Sequence, residues 1–222
     1  MISEDFVGGG GLHIVKEGYP FIASGLALAA LLGATVSVYA GIVPLILALY
    51  FTYFFRNPTR HIEKNAAVIL SPADGTVVDV VNLEHDEDAF VPGQCNKVII
   101  FMSVFNVHVN RSPIDGAIKL QKYFCGRFRP AYKDEVGFEN EHHLIGIENS
   151  RLRITVKQIA GILARRIVSW VTLDDELKQG DLYGMIRFGS CLEIVMPADV
   201  EVAVTKGEKV TGGLTVIGRI KD

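Results

Sequence analysis

The chain begins with one long uncharged tract and continues with many short apolar runs. Between Glu17 and Arg56 the sequence has no charged residue. A single membrane span takes about 20 residues, so this tract is long enough for two short helices joined by a turn. Gly33 or residues 39–41 suit that turn. The pattern predicts a membrane-associating helical hairpin within residues 1–64.

The charges beside the tract predict its orientation. Lys16 precedes the tract, and Arg56, Arg60 and Lys64 follow it. Positively charged flanks tend to stay on the cytoplasmic side of a membrane. We therefore expect both ends of the hairpin, and the domain that follows, on the cytoplasmic side of the cell membrane. The alternative is a buried helical pair in a soluble core.

Residues 65–222 predict a second domain that is mainly β. Its apolar runs are short, rich in β-branched residues and bounded by turn residues, as strands are. A minor helix is expected around residues 160–167. Two charged, glycine-containing turns, 178–181 and 206–209, predict hairpins like those of barrel-sandwich folds of the biotinyl and lipoyl kind. Strands are expected at 77–81, 97–102, 144–147, 152–156, 192–196 and 200–204.

Composition argues against two classes of function. The net charge is −3, and no stretch interleaves basic and aromatic residues, so we expect no nucleic-acid partner. Cys95, Cys125 and Cys191 lie far apart without a C-x-x-C pair, which indicates neither a zinc site nor a disulfide framework. A reducing, cytoplasmic setting fits this cysteine usage.

Two segments carry an acid and a base. Asp74 lies in Ser-Pro-Ala-Asp-Gly before a predicted strand, where its simplest role is an Asx turn. His108 and Asn110 are two residues apart and share a face if the segment is extended, although such a histidine is often only a core residue. A catalytic histidine needs a neighbour that fixes its tautomer, and Asp74 is the candidate for His108.

A third segment carries a candidate nucleophile. Ser190 follows Gly189, and glycine adopts backbone conformations that are closed to other residues. The hydroxyl can then reach the preceding carbonyl, so we hypothesise that Ser190 cuts its own chain there. A Gly-Ser pair alone is usually only a turn. The G-x-S-x-G pattern of serine hydrolases does not occur around Ser190.

The three segments in this order resemble the phosphatidylserine decarboxylase family in its short form. They read SPADG at 71–75, FNVHVNRSP at 105–113 and RFGS at 187–190, behind an apolar tract. Further similar stretches are 158–161, 164–167 and 184–187. The resemblance covers roughly residues 50–222. Each motif is weak, but the ordered set is specific.

The resemblance implies a pyruvoyl-dependent decarboxylase made as a proenzyme. Ser190 would attack the Gly189 carbonyl, and the resulting ester would eliminate to leave a pyruvoyl group, with a β chain of residues 1–189 and an α chain of residues 190–222. Asp74 and His108 match the acid and base that activate the serine. The pyruvoyl cofactor would form a Schiff base with phosphatidylserine and release carbon dioxide and phosphatidylethanolamine. His108 is the candidate for returning the proton. Neither pyridoxal phosphate nor a metal is required.

Several alternatives stay open at this point. Ester-linked phosphatidylserine and ether-linked archaetidylserine share the head group, and a membrane-anchored, non-catalytic adaptor of the biotinyl or lipoyl kind is the rival interpretation. The substrate is expected in an anionic membrane, and the resemblance is compatible with a homodimer. Cys191 stands where relatives have Arg or Thr, and Arg111 where some longer relatives have His.

The polar region from Tyr123 to His143 is either a substrate-facing loop or a solvated one. His142 and His143 are not expected to form a metal pair, because adjacent residues of a strand point to opposite faces.

Overall fold

The computed structural model describes residues 12–126, 140–161, 166–187 and 189–221. The chain divides into two compact units, Met1–His61 and Ile62–Asp222. The first unit contains the helices α1 (Tyr19–Thr35) and α2 (Ile42–Phe54) and an antiparallel pair of short strands, β1 (Leu12–Ile14) and β2 (Arg56–Pro58). Helices in the uncharged tract are therefore confirmed.

The two helices of the first unit run antiparallel. The rings of Phe21 and Phe51 lie 5.4 Å apart, and a Cβ added to Gly25 would lie 3.0 Å from Cβ of Ala48. Large apolar side chains are exposed on both helices, among them Leu31 and Leu49. The helical stretch Lys16–Thr35 is long and apolar enough to cross a membrane. Membrane insertion itself stays a prediction.

The second unit is mainly β, as its short apolar runs predict. Most of its strands are short and rich in β-branched or other apolar residues, and several are buried along nearly their whole length. The strands are β3 (Val68–Leu70), β4 (Gly75–Leu83), β5 (Cys95–Met102), β6 (Val109–Arg111), β7 (Gly116–Phe124), β8 (His142–Glu148), β9 (Arg153–Ala160), β10 (Arg166–Ser169), β11 (Glu176–Leu177), β12 (Leu182–Arg187), β13 (Ser190–Pro197), β14 (Glu201–Val202), β15 (Lys209–Val210) and β16 (Val216–Arg219).

One large curled sheet organises the second unit. Its eight described strands have the order β11-β7-β8-β9-β13-β5-β4-β15, and two smaller sheets have the orders β10-β12-β6 and β14-β16-β3. The buried core draws residues from all three sheets, for example Ile194 of β13, Ile186 of β12 and Ile217 of β16. Burying these side chains supplies the main driving force for folding, about 1.5–3 kcal/mol for each fully buried aliphatic residue.

The central strand β13 begins at Ser190. It pairs antiparallel with β5 on one side and β9 on the other, which places Ser190 opposite Met102 and Ala160. Side chains at 190, 192, 194 and 196 are fully buried on the core face of the sheet. The candidate nucleophile is thus held at one end of a strand that is paired on both sides.

Two local predictions were wrong. The helix expected around residues 160–167 does not form at its ends, because β9 ends at Ala160 and β10 begins at Arg166. Residues 162–165 lie outside the described part of the chain. The glycine turns do form, with φ of 88° at Gly180 and 91° at Gly207. Neither turn makes a hairpin, however, since each joins strands of different sheets. Turn residues set the local reversal, but burial decides which strands pair.

Candidate active site

Gly189 forms the corner at which the chain passes from a small sheet into the large one. Its φ is +56°, in the left-handed region, where an L side chain costs roughly 1–2 kcal/mol. A Cβ at this position would meet only Cγ1 of Val104, at 3.8 Å. Glycine is therefore required by the backbone conformation and not by lack of space, as the sequence predicts.

The carbonyl between Gly189 and Ser190 already accepts a hydrogen bond. Its donor is the backbone N–H of Gly161, at 3.1 Å. A donor aimed at a carbonyl oxygen stabilises the negative charge that forms there when a nucleophile attacks the carbon. Gly161 follows directly after β9, whose last residue is the register neighbour of Ser190.

The Ser190 hydroxyl is fully buried and donates to the sulfur of Met102, with Oγ and Sδ 3.4 Å apart. A thioether is a weak acceptor. The hydroxyl proton is therefore held only loosely in this state, and a stronger base can take it.

His108 lies in a tight turn beside this corner. Its Nδ1 is 3.0 Å from the carbonyl oxygen of Asn106; because a carbonyl can only accept, Nδ1 carries the hydrogen and Nε2 is the basic nitrogen of the neutral ring. Asn106 in turn accepts from the backbone N–H and the hydroxyl of Ser103, at 2.9 and 2.8 Å. Val104 of the same turn is the neighbour of Gly189. The segment that contacts Gly189 through Val104 therefore also carries a fully buried histidine.

Asp74 lies at the same end of the large sheet. Its Oδ1 accepts from the backbone N–H of Gly212 at 2.8 Å. The next residue, Gly75, packs so closely on β5 that an added Cβ would be 2.3 Å from the Phe101 carbonyl oxygen. The fold thus brings the three sequence motifs to one end of the sheet. The pairing of Asp74 with His108 stays a prediction.

The other polar residues singled out in the sequence have separate places. Arg111 is buried and donates from Nη1 to the Gly180 carbonyl oxygen at 3.0 Å. His142 stacks on Phe124 with ring centroids 4.5 Å apart, whereas the neighbouring His143 bonds to residues of the core face. The two histidines therefore point to opposite faces. In the described residues no group of three His, Cys, Asp or Glu side chains is placed to hold a metal ion.

The region 123–143 is described only at its two ends. Residues 127–139, which include Arg127, Arg129 and Lys133, lie outside the described part of the chain. At its start, Tyr123 donates a hydrogen bond to Glu141. Burial and this carboxylate together raise the pKa of the Tyr123 hydroxyl well above its usual range. The choice between a substrate-facing and a solvated loop stays open.

A row of uncharged polar side chains, buried except for the half-buried Gln121, leads away from Ser190. The sequence did not predict this row as part of the site. We call Gln121, His143, Gln158 and Asn110 the amide chain. Consecutive members are linked by contacts of 3.0, 2.9 and 2.7 Å, and Nδ2 of Asn110 lies 3.9 Å from Sδ of Met102. Burial lowers the pKa of His143, and its hydrogen bond to Gln158 offsets this lowering only in part. The lowered pKa favours the neutral ring.

A groove of about 580 Å³ lies far from these residues. It is lined by Arg153 at the start of β9 and Pro197 at the end of β13, the opposite end of these strands from Ser190. It contains none of the motif residues. The chemistry therefore points to the Ser190 end of the sheet and not to this groove.

Known proteins match nearly the whole chain. A family profile described as phosphatidylserine decarboxylase matches residues 47–218. A protein of Carboxydothermus hydrogenoformans named phosphatidylserine decarboxylase proenzyme is 46% identical over 211 residues, covering 95% of this chain and 98% of that protein. Proteins of the same name from Symbiobacterium thermophilum and Geobacter sulfurreducens are 44% and 42% identical, covering 93% and 92% of this chain and 95% of each relative.

Proposed function

This chain belongs to the phosphatidylserine decarboxylase family of carboxy-lyases, and we propose that it becomes active when Ser190 cuts the bond that follows Gly189. The observation that supports the proposal is the backbone geometry at the Gly189–Ser190 junction. A glycine in the left-handed region precedes a buried serine, and the carbonyl between them accepts from the Gly161 N–H. The names of the relatives favour this enzyme over the non-catalytic adaptor.

The first step of the proposed self-cleavage is an acyl shift from nitrogen to oxygen. Ser190 Oγ attacks the Gly189 carbonyl carbon while Nε2 of His108 takes the hydroxyl proton. The negative charge that forms on the carbonyl oxygen is stabilised by the Gly161 N–H. The C–N bond then breaks, the amine of residue 190 takes up the proton, and an ester links the two parts of the chain.

The second step removes Oγ from residue 190. The Cα proton leaves, the Cβ–Oγ bond breaks, and Gly189 departs as a carboxylate that carries the electron pair. The dehydroalanine left behind takes up water and releases ammonia, which yields a pyruvoyl group at the start of an α chain of residues 190–222. Residues 1–189 become the β chain.

The surroundings of residue 190 fit such a group. The side chain is fully buried opposite the small Ala160, and the nearest polar contacts are uncharged. The pyruvoyl group supplies an electron sink for the electrons left when an amino acid loses its carboxyl group. His108 then returns a proton to the substrate Cα. Because Nδ1 of His108 already donates to the Asn106 carbonyl, Asp74 assists the histidine through its negative charge at the same end of the sheet.

The first unit would bring the enzyme to its substrate, phosphatidylserine in an anionic membrane. A diacyl lipid does not leave the bilayer readily, because each buried CH₂ contributes about 0.8 kcal/mol. The exposed apolar side chains of α1 and α2 suit a lipid environment. With 13 residues, α2 is about 20 Å long, shorter than the hydrocarbon core of about 30 Å. The proposed hairpin therefore embeds with both ends on the cytoplasmic side.

Cleavage is tested by comparing the wild type with Ser190→Ala in detergent or nanodiscs. The wild type should give a fragment of residues 190–222 with a blocked N-terminus on mass spectrometry, and Ser190→Ala should stay whole and inactive. Ser112→Ala is the matched control, since Ser112 is equally buried but its hydroxyl donates to the Ile114 carbonyl. An uncut wild type that still decarboxylates would refute the proposal.

Substrate choice is tested with the cleaved wild type. Carboxyl-labelled phosphatidylserine in mixed micelles should release labelled carbon dioxide, and an ether-linked archaetidylserine should be compared under the same conditions. Release from the ether lipid alone would show that the chain acts on the archaeal type of lipid. Release from neither would contradict the assignment of a serine head group.

A further inference from the structure

The amide chain has a defined direction of hydrogen bonding. Gln121 Nε2 lies 3.1 Å from the Val171 carbonyl oxygen, which can only accept, so this end of the Gln121 amide is the donor. The same nitrogen lies 3.0 Å from His143 Nε2, which must therefore accept. A neutral ring then carries its hydrogen on Nδ1.

That tautomer fixes the rest of the chain. His143 Nδ1 donates to Gln158 Oε1 at 2.9 Å, which leaves the Gln158 amide nitrogen to donate to Asn110 Oδ1 at 2.7 Å. Asn110 must consequently turn its own N–H away from Gln158. A backbone carbonyl beside Gln121 of β7 thus decides the orientation of an amide on β6.

The far end of the chain converges with the nucleophile. Asn110 Nδ2 and Ser190 Oγ both donate to Met102 Sδ, at 3.9 and 3.4 Å. All three side chains are fully buried, so water does not compete for these bonds. Gly184, the register neighbour of Asn110, packs directly against the Val168 carbonyl oxygen, and a Cβ there would also lie 3.3 Å from Gln158 Nε2.

We propose that Asn110 is the hydrogen-bond donor to Ser190 Oγ during self-cleavage, and that Gln158 and His143 are positioning residues that set the direction of its amide. The inference rests on the proposed function and adds a residue to the reaction at the same bond.

The chemistry requires a donor and not an acceptor at this place. Oγ becomes negative when its proton passes to His108, and again when the Cβ–Oγ bond breaks and the electron pair stays on Oγ as part of the Gly189 carboxylate. An N–H group stabilises both states, whereas an amide oxygen in the same place repels them. Reversing the Asn110 amide should therefore slow cleavage without removing any catalytic group.

Gln158→Glu tests the direction directly. The introduced carboxylate still accepts from His143 but cannot donate, so the Asn110 amide should turn over and present its oxygen to Ser190. We expect cleavage to slow by about 100-fold, the usual effect of losing one such donor. Asn110→Leu should give a similar loss, and Gln158→Met, which leaves the Asn110 amide unheld, at least about a tenfold loss.

Protonation should rescue the Gln158→Glu variant. The neutral carboxyl group at position 158 has one donor and one acceptor and can replace the amide in both bonds; burial raises its pKa, so rescue is expected between about pH 8 and about pH 6. The titratable neighbour on β8, His143, favours its neutral form. Cleavage is followed on denaturing gels as a rate relative to the wild type at each pH, with Trp170 fluorescence as the check of folding.

Gln179→Glu is the matched control. Gln179 is also buried and donates to the carbonyls of Val68 and Pro113, outside the amide chain. This variant should be cut at a rate close to that of the wild type even if its fold is weakened. The positioning role is overturned if folded Gln158→Glu and Gln158→Met are cut at the wild-type rate, if the relative rate of Gln158→Glu does not rise with acid, or if Gln179→Glu is slowed equally. An uncut wild type would instead refute the proposed function.

Discussion

The two faces of the large sheet bury polar groups in different ways. On the core face lies the uncharged amide chain. On the opposite face lies what we call the ion cluster, formed by Lys97, Lys157, Glu193 and Glu87. Its contacts are 3.1 Å from Lys97 to Glu87, 3.8 Å from Lys97 to Glu193 and 3.6 Å from Lys157 to Glu87.

Charged groups and uncharged polar groups have different effects when they are buried. Attraction between charges depends weakly on angle, so the ion cluster can fasten the segment that carries Glu87 without orienting any group closely. Amide and imidazole groups have fixed donor and acceptor sides, and a row of them passes an orientation from one residue to the next. We therefore expect the ion cluster to govern stability and the amide chain to govern cleavage.

The largest effect on stability is expected from Lys97→Met. The side chains of Lys97 and Glu193 are each only 13% exposed, so removing the lysine takes from the buried Glu193 carboxylate the cation that it pairs with. The free energy of unfolding should fall by about 3 kcal/mol. Urea unfolding followed by Trp170 fluorescence measures it, in a Ser190→Ala background that keeps one uncut chain.

The same Lys97→Met change in the cleavable chain should leave the cleavage rate unchanged while the domain stays folded. A slowed cleavage at full folding would break the distinction between the two faces. Lys97→Arg serves as the control, because it keeps the charge and should retain most of the stability.

Gln121→Leu is expected to have an intermediate effect at the far end of the amide chain. His143 Nε2 would lose its donor, and an unsatisfied buried polar group costs about 1–3 kcal/mol. The His143 ring could then adopt the other tautomer, so cleavage should slow although Gln121 is remote from Ser190. Gel time courses measure cleavage, and urea unfolding measures stability. An unchanged cleavage rate would show that the orientation of the Asn110 amide is set by residues closer to it than Gln121.

The sequence predicted the residues around the Gly189–Ser190 bond better than it predicted the amide chain. Ser190, Gly189, His108 and Asp74 could be proposed from the sequence because each lies in a short motif whose chemistry can be read locally, and their catalytic roles stay predictions. Gln121, His143 and Gln158 come from three strands, and only the strand register brings them together. One local signal existed, since Lys157 and Gln158 are consecutive polar residues in a strand and must each find partners on opposite faces of the sheet.

The fold was predictable to a similar extent. Short apolar runs rich in β-branched residues and bounded by turn residues indicated the mainly β class and most of the strands. Strand pairing was not predictable, because the turns at Gly180 and Gly207 have hairpin-like conformations but join different sheets. The helix expected around residues 160–167 failed since its first residue is held in β9 by pairing with β13.

A smaller effect is expected at the edge of the ion cluster. Lys122 pairs with Asp88 at 3.4 Å, and its side chain is 39% exposed. Lys122→Ala should therefore cost at most about 1 kcal/mol, as exposed pairs do. The urea midpoint in the uncut background measures it. If the free energy of unfolding fell as much as in Lys97→Met, the exposure of an ion pair would not determine how much it stabilises the fold.

The smallest effects should appear as opposite responses to pH. Burial lowers the pKa of His143, so as the pH falls below the ordinary value of 6.5 the unfolded chain takes up a proton that the folded chain refuses, and stability decreases. For Lys97, burial alone would lower the pKa, but Glu193 and Glu87 raise it overall. Its contribution is therefore complete below the ordinary lysine pKa, about 10.4, and is lost as the pH rises through the higher folded value.

Each response can be assigned by removing its source. In the uncut background, His143→Gln should flatten the loss of stability in acid and leave the alkaline limb unchanged, whereas Lys97→Met should flatten the alkaline limb alone. Urea midpoints across the pH range measure both, each as the difference between a variant and the uncut background at the same pH. If one substitution altered stability at both acid and alkaline pH, the two faces would be coupled through the sheet. The amide chain could then no longer be assigned to orienting Asn110 alone, nor the ion cluster to stability alone.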